Sequence, residues 1–256
     1  MSVNGSIALV TGASSGIGKA TAAALVDAGA RVIAAARRRG RLEELVARHG
    51  DRMIAREMDV RDRASVAAAL ARLPDAWREI DIVVAAAGLA VGLDPLQDGD
   101  PDEWDRMLDT NVKGLLNTVH HTVPGMVDRG RGHFITIGSS AARSTYPKGA
   151  VYCASKAAAE RITAGLRLDV LGTGVRATIV HPSRTQTEFH EVRFRGDRQR
   201  AQGLFDEIRS LQPADVADAV LYALEQPDHV NVSDLLVTPT DQAAHGQIAR
   251  NDHRAP

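Results

Sequence analysis

Short apolar segments alternate with longer amphipathic segments along most of this 256-residue chain. The apolar segments, such as Ile7–Thr11 and Ile82–Ala86, lack the every-second-residue polarity of a strand with one solvated face. Strands that are buried on both faces belong to parallel sheets, whose connecting helices cover the two faces. The alternation therefore predicts an α/β fold with a doubly wound parallel sheet of about seven strands and helices on both faces.

The apolar segments define the predicted strands, and the amphipathic segments between them define the predicted helices. The predicted strands are Ile7–Thr11, Arg31–Ala36, Met53–Asp59, Ile82–Ala86, His133–Gly138, Arg176–Val180 and Leu235–Val237. The predicted helices are Gly16–Ala28, Gly40–Arg48, Arg63–Leu73, Pro101–Asp128, Val151–Leu171 and Pro213–Glu225. No linker, repeat or low-complexity stretch divides the chain, so we expect residues 1–256 to form one domain.

Two segments interrupt the alternation. Residues 88–99 are rich in Gly, Asp and Pro and are predicted to form a loop. Residues 183–210 are polar but contain Phe189, Phe194 and Phe205. Polar surface with scattered large apolar side chains is typical of a lid that folds over a bound small molecule. A solvated insertion remains the alternative.

A glycine-rich turn joins the first predicted strand to the first predicted helix. The strand runs directly into Gly12-Ala13-Ser14-Ser15-Gly16-Ile17-Gly18, a Gly-x-x-x-Gly-x-Gly spacing. Glycines let the backbone approach a pyrophosphate, which then lies at the positive N-terminus of the helix. Three glycines alone would not indicate a dinucleotide site. Because this turn lies at a strand–helix junction, it does predict one.

The end of the second predicted strand indicates which dinucleotide binds. An NAD site has a carboxylate about 20 residues after the turn for the ribose 2′-hydroxyl, whereas an NADP site has a cation. Residues 28–42 contain no Asp or Glu, and the strand ends in Ala36-Arg37-Arg38-Arg39. A guanidinium matches a phosphate with two parallel hydrogen bonds, so Arg37 and Arg38 favour NADP. A solvated helix start and a nucleic-acid or targeting patch are the alternatives for this basic run.

Tyr152 and Lys156 are four residues apart on a predicted helix and therefore lie on one face of it. The ordinary pKa of a phenol, about 10, is too high for efficient proton exchange near neutrality. A neighbouring ammonium favours the phenolate, so Lys156 is expected to lower the pKa of Tyr152. The pair then suits proton exchange with an alcohol or a carbonyl. An ordinary pair on an exposed helix face is the alternative.

Charge and cysteine content narrow the range of partners and locations. The formal net charge of −1 gives no electrostatic reason to expect a nucleic-acid or membrane partner. Cys153 is the only cysteine, so no intrachain disulfide forms and a reducing, cytoplasmic location is expected. No signal-peptide pattern and no apolar span of ~20 residues is visible. His181, Glu188 and His190 match no metal-binding spacing, so no metal is expected.

Several of these residues together carry a resemblance. The Thr11–Gly18 turn, Asn111, Ser139, Tyr152 and Lys156, in this order, resemble the short-chain dehydrogenase/reductase family, and the resemblance covers nearly the whole chain. It implies a single Rossmann-type sheet and a reversible NADP-dependent oxidoreductase that interconverts an alcohol and a carbonyl. Within the family, the chain is most similar to the bacterial NADP-dependent 3-hydroxy acid (serine-type) dehydrogenases. The stretches that carry this finer similarity are Leu73–Ile82, Leu108–Leu115, Val192–Asp197 and Pro227–Val232.

The resemblance implies four catalytic residues. Tyr152 would be the general acid/base, and Lys156 would lower its pKa and bind the nicotinamide ribose. Ser139 would hydrogen-bond the substrate oxygen, with the adjacent Ser140 as its competitor. Asn111 would hold a water that connects Lys156 to solvent, so that the phenol is reprotonated in each turnover.

The resemblance also implies cofactor contacts beyond the glycine turn and the arginines. Asp59 and Val60 would contact the adenine, and Thr187 would hold the nicotinamide carboxamide. The complete expected cofactor-binding set is Gly12, Ser14, Ser15, Gly16, Ile17, Gly18, Arg37, Arg38, Asp59, Val60, Gly88, Tyr152, Lys156 and Thr187.

Three positions depart from the family pattern. Where relatives carry two asparagines before Ala-Gly, this chain has Ala85 and Ala86, which is expected to weaken the central strands or cofactor binding. Ser183 stands where the family has glycine after a proline. His181 precedes that proline and titrates near neutrality. It is either a second proton-active group or a structural histidine.

The resemblance implies a small 3-hydroxy acid or β-hydroxy amino acid as substrate. Its reacting oxygen would meet Ser139 and Tyr152, and Arg184, Arg193 or Arg195 would pair with its carboxylate. A carbonyl reductase for a larger aldehyde or ketone in specialised metabolism and a catalytically silent NADPH-binding regulator are the alternatives. By analogy with the family, the helices that contain Asn111 and Tyr152 would pair across subunits of a homotetramer or homodimer.

Overall fold

The strands predicted from the sequence form one parallel sheet in the computed structural model, which describes residues 2–244 and 246–249. These strands are β1 Ile7–Thr11, β2 Arg31–Ala36, β3 Met53–Glu57, β4 Ile82–Ala85, β5 Gly132–Ile137, β6 Val175–Pro182 and β7 Asp234–Val237. Their order across the sheet is β3-β2-β1-β4-β5-β6-β7, and every neighbouring pair is parallel. The order reverses between β1 and β4, so the carboxyl ends of these strands flank a crevice. The predicted doubly wound α/β fold is confirmed.

Helices connect the strands and cover both faces of the sheet. They are α1 Gly16–Asp27, α2 Arg39–His49, α3 Arg63–Ala71, α4 Pro101–Leu108, α5 Gly114–Asp128, α6 Ala150–Asp169, α7 Phe189–Arg193, α8 Arg198–Asp206 and α9 Pro213–Leu224. Short 3₁₀ turns lie at Gly50–Arg52, Asp75–Trp77, Leu96–Asp98 and Ser140–Ala142. Within the described part of the chain, no helix has the length and apolarity required to cross a membrane.

Two hydrophobic cores hold the layers together. Ala8 and Val10 of β1 pack with apolar side chains of α1, α2 and α9, whereas Ile7 and Leu9 pack with those of α3, α5 and α6. Every residue of β1 is buried, which explains why the strand shows no polar alternation. A fully buried aliphatic side chain such as Leu9 stabilises the fold by about 1.5–3 kcal/mol.

The predicted helix over residues 101–128 is interrupted in the structure. A π-helical turn, Asp109–Lys113, separates α4 from α5 and carries Asn111. π-helical turns occur frequently at functional sites, but the apolar periodicity of the sequence contains no signal for one. The start of α4 does follow its sequence signals, because Asp100 accepts a hydrogen bond from the Asp102 amide at 2.9 Å and Pro101 occupies the first turn.

The segment predicted to be a lid is partly helical. Residues 183–210 include α7 and α8, and Thr185 forms a bridge with Leu211 at the base of the segment. The 3₁₀ and loop residues 88–99 lie beside it, since the Gly92 amide donates to the Arg193 carbonyl at 3.0 Å. An antiparallel pair, β8 Gln242–Ala244 and β9 Gln247–Ile248, follows β7 and was not predicted.

Candidate functional site

A cavity of about 720 Å³ opens at the carboxyl edge of the sheet, between the strand ends and residues 183–210. Nearly all of the predicted site residues line it. They are Gly12, Ser14, Ser15, Gly16, Ile17, Gly18, Arg37, Arg38, Asp59, Val60, Gly88, Ser139, Tyr152, Lys156, Arg184, Thr187 and Arg193. Asn111 instead borders a small adjoining pocket that it shares with Lys156. One cavity therefore joins the predicted cofactor residues to the predicted catalytic residues.

The glycine turn after β1 is shaped by close backbone contacts. Gly12 has a φ of +70°, and a side chain there would lie 2.8 Å from the Ala87 amide nitrogen. A side chain at Gly18 would lie 2.5 Å from the Gly12 carbonyl oxygen. Only glycine fits these two positions, and the turn delivers the N-terminus of α1 to the cavity. This backbone cradle fits the pyrophosphate of a dinucleotide.

Arg38 lies at the far end of the cavity, where the ribose 2′-position of a dinucleotide is expected. Its guanidinium donates to the hydroxyls of Ser14, at 3.1 and 3.2 Å, and Ser15, at 2.7 Å. It also contacts Glu188 at 3.0 Å, and Arg41 donates to both carboxylate oxygens of Glu188. Neither Glu188 nor Arg41 was predicted at this position, because the two residues are about 150 positions apart in the chain.

Of the other residues predicted to contact the adenine end of the cofactor, Asp59 and Val60 are held by neighbours. Arg37 is exposed and lines the cavity. Arg61 hydrogen-bonds the Asp59 carboxylate at 2.6 Å and thereby lowers its pKa. Asn117 Nδ2 donates to the Val60 carbonyl at 2.9 Å, which connects the residue after Asp59 to α5.

Tyr152 and Lys156 both face the cavity from α6 and both are buried. The expectation that Lys156 lowers the pKa of Tyr152 is wrong for this arrangement. Burial raises the pKa of Tyr152, and the hydrogen bond from Ser139 opposes that rise. Lys156 donates to the Ile137 carbonyl at 2.9 Å, and burial lowers its own pKa to about 8. Desolvation therefore dominates at both groups.

Ser139 rather than Ser140 adjoins the phenol of Tyr152. Ser139 follows β5, and its side chain accepts a hydrogen bond from the Ala141 amide at 3.2 Å, which fixes the rotamer of the hydroxyl. Ser140 donates to Ser183 at 3.2 Å, and Ser183 donates to Gln242 at 2.7 Å. The serine that replaces glycine at position 183 thus connects the strand ends to β8.

Asn111 braces the loop that follows β4. Its Nδ2 donates to the Leu89 carbonyl at 2.8 Å and to Ser155 Oγ at 3.0 Å, and its Oδ1 accepts from the Leu89 amide at 2.9 Å. A side chain at Gly88 would lie 3.3 Å from both Asn111 Oδ1 and Lys156 Nζ. The π-helical turn therefore brings Asn111 close to Lys156, and its role in holding a water stays a prediction.

The three arginines predicted to bind the substrate carboxylate, all within residues 183–210, have very different environments. Arg184 donates to Glu207 at 3.0 Å and to the Leu204 carbonyl, and Arg195 contacts Glu103 and Asp94. Arg193 is only 7% exposed, donates to the Tyr146 hydroxyl at 2.5 Å and stacks on the rings of Tyr146 and Tyr152. No carboxylate within the described residues forms an ion pair with Arg193. Its charge is therefore available to an anion in the cavity.

His181, Glu188 and His190, which were considered as a metal site, have different neighbours in the structure. His181 faces Glu160 and Asp234, whereas Glu188 contacts arginines. His190 packs against three phenylalanines of residues 183–210, and burial lowers its pKa to about 4. Cys153 is buried, and burial raises the pKa of its thiol, which disfavours a nucleophilic thiolate.

Two aromatic residues of the site, Tyr146 and Phe189, were not predicted from the sequence. Tyr146 meets Arg193 through its hydroxyl, and Phe189 packs on the Tyr152 ring with the ring centres 5.5 Å apart. Tyr146 lies in an irregular segment without periodicity, so no local signal marked it. Phe189 was noted only as one of several scattered lid aromatics.

Known proteins resemble this chain over nearly its whole length. A model described as short chain dehydrogenase matches residues 6–197. An NADP-dependent 3-hydroxy acid dehydrogenase of Escherichia coli (strain K12) is 41% identical over 241 residues, which cover 94% of this chain and 97% of the relative. Sulfoacetaldehyde reductase 2 of Chromohalobacter salexigens is 42% identical over 240 residues, which cover 93% of this chain and 95% of the relative.

Solved structures are similar as well. The closed form of a serine dehydrogenase complexed with NADP+ has a TM-score of 0.92 with this chain and 40% sequence identity, and the match covers 97% of this chain and 100% of that one. A serine dehydrogenase from Escherichia coli has a TM-score of 0.82 and 38% identity, over 93% of this chain and 99% of that one.

Proposed function

Because the chain belongs to the short-chain dehydrogenase family, we propose that it is an NADP-dependent oxidoreductase that interconverts an alcohol and a carbonyl. The observation that carries the proposal is the single cavity that joins the glycine turn and Arg38 to Ser139, Tyr152 and Lys156. A cofactor site and a proton-exchange site that share one cavity are what hydride transfer between cofactor and substrate requires.

The residues of the cavity fit NADP at its phosphates. The amides of the glycine turn and the N-terminus of α1 would hold the pyrophosphate. Arg38, with Arg37 beside it, would hold the 2′-phosphate, and Ser14 and Ser15 already orient the Arg38 guanidinium. When bound, the nicotinamide supplies or accepts the hydride. Asp59 and Val60 at the adenine end and Thr187 at the opposite end belong to the same proposal.

Tyr152 would move the proton. In the direction of carbonyl reduction, burial keeps the phenol protonated near neutrality, so that it can donate to the carbonyl oxygen. Ser139, which lines the same cavity as Tyr152, would donate to the same oxygen and orient it. Lys156, with its lowered pKa of about 8, lines the same cavity and would help to return a proton to the phenol.

The buried Arg193 supports a small anionic substrate. A guanidinium that lies in the cavity beside Tyr152 without a carboxylate partner would attract an acidic group on the substrate. A 3-hydroxy acid and sulfoacetaldehyde, which the names of two relatives specify, both carry such a group. We therefore place the carboxylate or sulfonate of the substrate on Arg193 and its reacting oxygen on Ser139 and Tyr152. Arg184 and Arg195 are engaged by Glu207 and Glu103 and take no part.

A substitution tests the substrate class. Arg193→Met should lower kcat/KM at least tenfold for an anionic aldehyde or 3-hydroxy acid, because a charged hydrogen bond contributes about 1.5–3 kcal/mol. Turnover of a neutral aldehyde of similar size should change less than about threefold. Arg200→Met is the matched control, since Arg200 lies in the same lid and stacks on Phe194 but is exposed.

The outcomes separate the candidate functions. Equal loss on neutral and anionic substrates would overturn the anion site and leave the larger aldehydes and ketones as substrates. A folded protein that binds NADPH but turns over none of these compounds would instead be a silent regulator. Tyr152→Phe distinguishes this case, because an oxidoreductase loses its rate while NADPH binding remains.

Assembly and location complete the proposal. Leu116 of α5 is 46% exposed, and Leu108 at the end of α4 is exposed as well. These apolar side chains support a homotetramer or homodimer built on the helices next to Asn111, which the molar mass from light scattering would test. The reducing, cytoplasmic location predicted from the lone Cys153 is tested by fractionation of the source cells.

A further inference from the structure

His181 is a fully buried histidine that the proposed chemistry does not use. It lies near the end of β6, directly behind the main chain of Ser139. Its Nδ1 lies 2.9 Å from the Ser139 carbonyl oxygen and 3.3 Å from the Ser139 amide nitrogen. A side chain at Gly138 would lie 2.6 Å from Nδ1, so the ring fills the space against this peptide. The imidazole is the immediate support of the segment that presents the Ser139 hydroxyl.

The other edge of the ring faces two carboxylates. His181 Nε2 lies 3.6 Å from Glu160 on α6 and 3.5 Å from Asp234 on β7. Arg143, which follows the 3₁₀ turn beginning at Ser140, contacts both carboxylates. Neither His181 Nε2 nor the nearer Glu160 oxygen has a hydrogen-bond partner within the described residues. Glu160 and Asp234 thus face Nε2, whereas Nδ1 contacts Ser139.

The contacts of Nδ1 determine how the ring holds Ser139. One nitrogen of a neutral imidazole cannot donate to the carbonyl and accept from the amide at the same time. The shorter contact, 2.9 Å, is with the carbonyl, which favours a proton on Nδ1. Burial lowers the pKa of His181, so the ring stays neutral near neutral pH. The Nδ1–H bond then fixes the Ser139 peptide.

We propose that His181 is a positioning residue for Ser139: its Nδ1–H bond to the Ser139 carbonyl holds the serine hydroxyl beside Tyr152. This inference rests on the proposed role of Ser139 in carbonyl reduction. Displacement of a catalytic group by about 1 Å can reduce a rate by about a hundredfold, so the support of this peptide matters for turnover. Of the two roles considered for His181, this proposal favours the structural one, in which the ring acts through the main chain of Ser139.

Two substitutions separate positioning from packing. His181→Asn places an amide near the position of Nδ1, where it can still donate to the Ser139 carbonyl. His181→Gln carries its amide toward the position of Nε2 and leaves the carbonyl without that bond. With an aldehyde that the wild type reduces, we expect His181→Asn to keep kcat within about threefold and His181→Gln to lose at least about tenfold. NADPH affinity and the KM for the aldehyde should stay within about twofold in both variants.

His133 provides the matched control. It is also fully buried, on the neighbouring strand β5, but its Nε2 lies 2.7 Å from Thr178 Oγ1 and it does not contact Ser139. His133→Gln should therefore retain the kcat of the wild type. If His133→Gln loses as much kcat as His181→Gln, or if His181→Asn and His181→Gln lose the same amount, the positioning role is refuted.

An NMR measurement tests the proposal without turnover. Selective ¹⁵N labelling of histidine reports which ring nitrogen carries the proton, and the resonance that disappears in His181→Asn belongs to His181. A proton on Nδ1 is the expected result, and a proton on Nε2 alone would overturn the inference. A folded wild type that reduces no aldehyde refutes the proposed function itself. An active wild type with an equally active His181→Gln refutes only the role of His181.

Discussion

Replacement of Lys156 by methionine should stabilise the protein at pH 7 while it abolishes turnover. Lys156 is 7% exposed, and burial lowers its pKa from 10.5 to about 8. At about 1.36 kcal/mol per pH unit, this drop means that the charged lysine costs about 3 kcal/mol of folding free energy. Methionine cannot form the hydrogen bond that Lys156 donates to the Ile137 carbonyl at 2.9 Å, and the loss of this bond destabilises the variant by about 1–2 kcal/mol. The expected net stabilisation by Lys156→Met at pH 7 is about 1–2 kcal/mol.

The sign of this difference should reverse at high pH. Below pH 8, Lys156 is charged in both the folded and the unfolded chain, so its full cost is present. Between pH 8 and 10.5 the unfolded chain binds more protons than the folded one, and wild-type stability rises. Above pH 10.5 the lysine is neutral in both states, so only the lost hydrogen bond remains and the variant becomes less stable.

Urea unfolding without added cofactor, from pH 7 to about pH 11, measures both effects. Lys113→Met is the matched control, since Lys113 is an exposed lysine in the π-helical turn. Its effect on stability should not reverse sign over this pH range. The reasoning is refuted if Lys156→Met is no more stable than the wild type at pH 7, or if the difference between the two does not change with pH.

Three further substitutions test other parts of the structure. Arg38→Ala should raise the KM for NADPH at least tenfold and leave the KM for NADH nearly unchanged, because the 2′-phosphate is the only part of the cofactor that the guanidinium would contact; steady-state kinetics with both cofactors measure this. Arg195→Met removes the contact between the lid and Glu103, so limited proteolysis should cut residues 183–210 several times faster than in the wild type. Asp100→Ala removes the cap of α4 and should lower the free energy of unfolding by about 1 kcal/mol, as urea denaturation will show.

Local sequence signals predicted the fold and the cofactor end of the cavity. Continuous apolar segments identified strands that are buried on both faces, and the structure places those strands in the predicted parallel sheet. Gly12 and Gly18 were recognisable because a backbone that must approach its neighbours closely admits only glycine. Arg38 was recognisable because the residues around it lack any carboxylate of their own.

Local signals failed at the π-helical turn and in residues 183–210, where the backbone departs from a regular helical period. The π-helical turn around Asn111 has no signature in a 3.6-residue pattern, and the predicted helix ran straight through it. The helices inside residues 183–210 are too short for their periodicity to be read.

The sequence by itself determined the strand ends, the glycine turn and the four-residue step from Tyr152 to Lys156, which bring most of the predicted site residues to the cavity. Only the tertiary structure decided which of these groups are desolvated and which charges are paired. Arg193 became the available cation because distant carboxylates neutralise Arg184 and Arg195. Burial, rather than the neighbouring ammonium, sets the direction of the Tyr152 pKa. The physical reason is that desolvation and ion pairing depend on groups brought together from remote parts of the chain, and no local pattern records them.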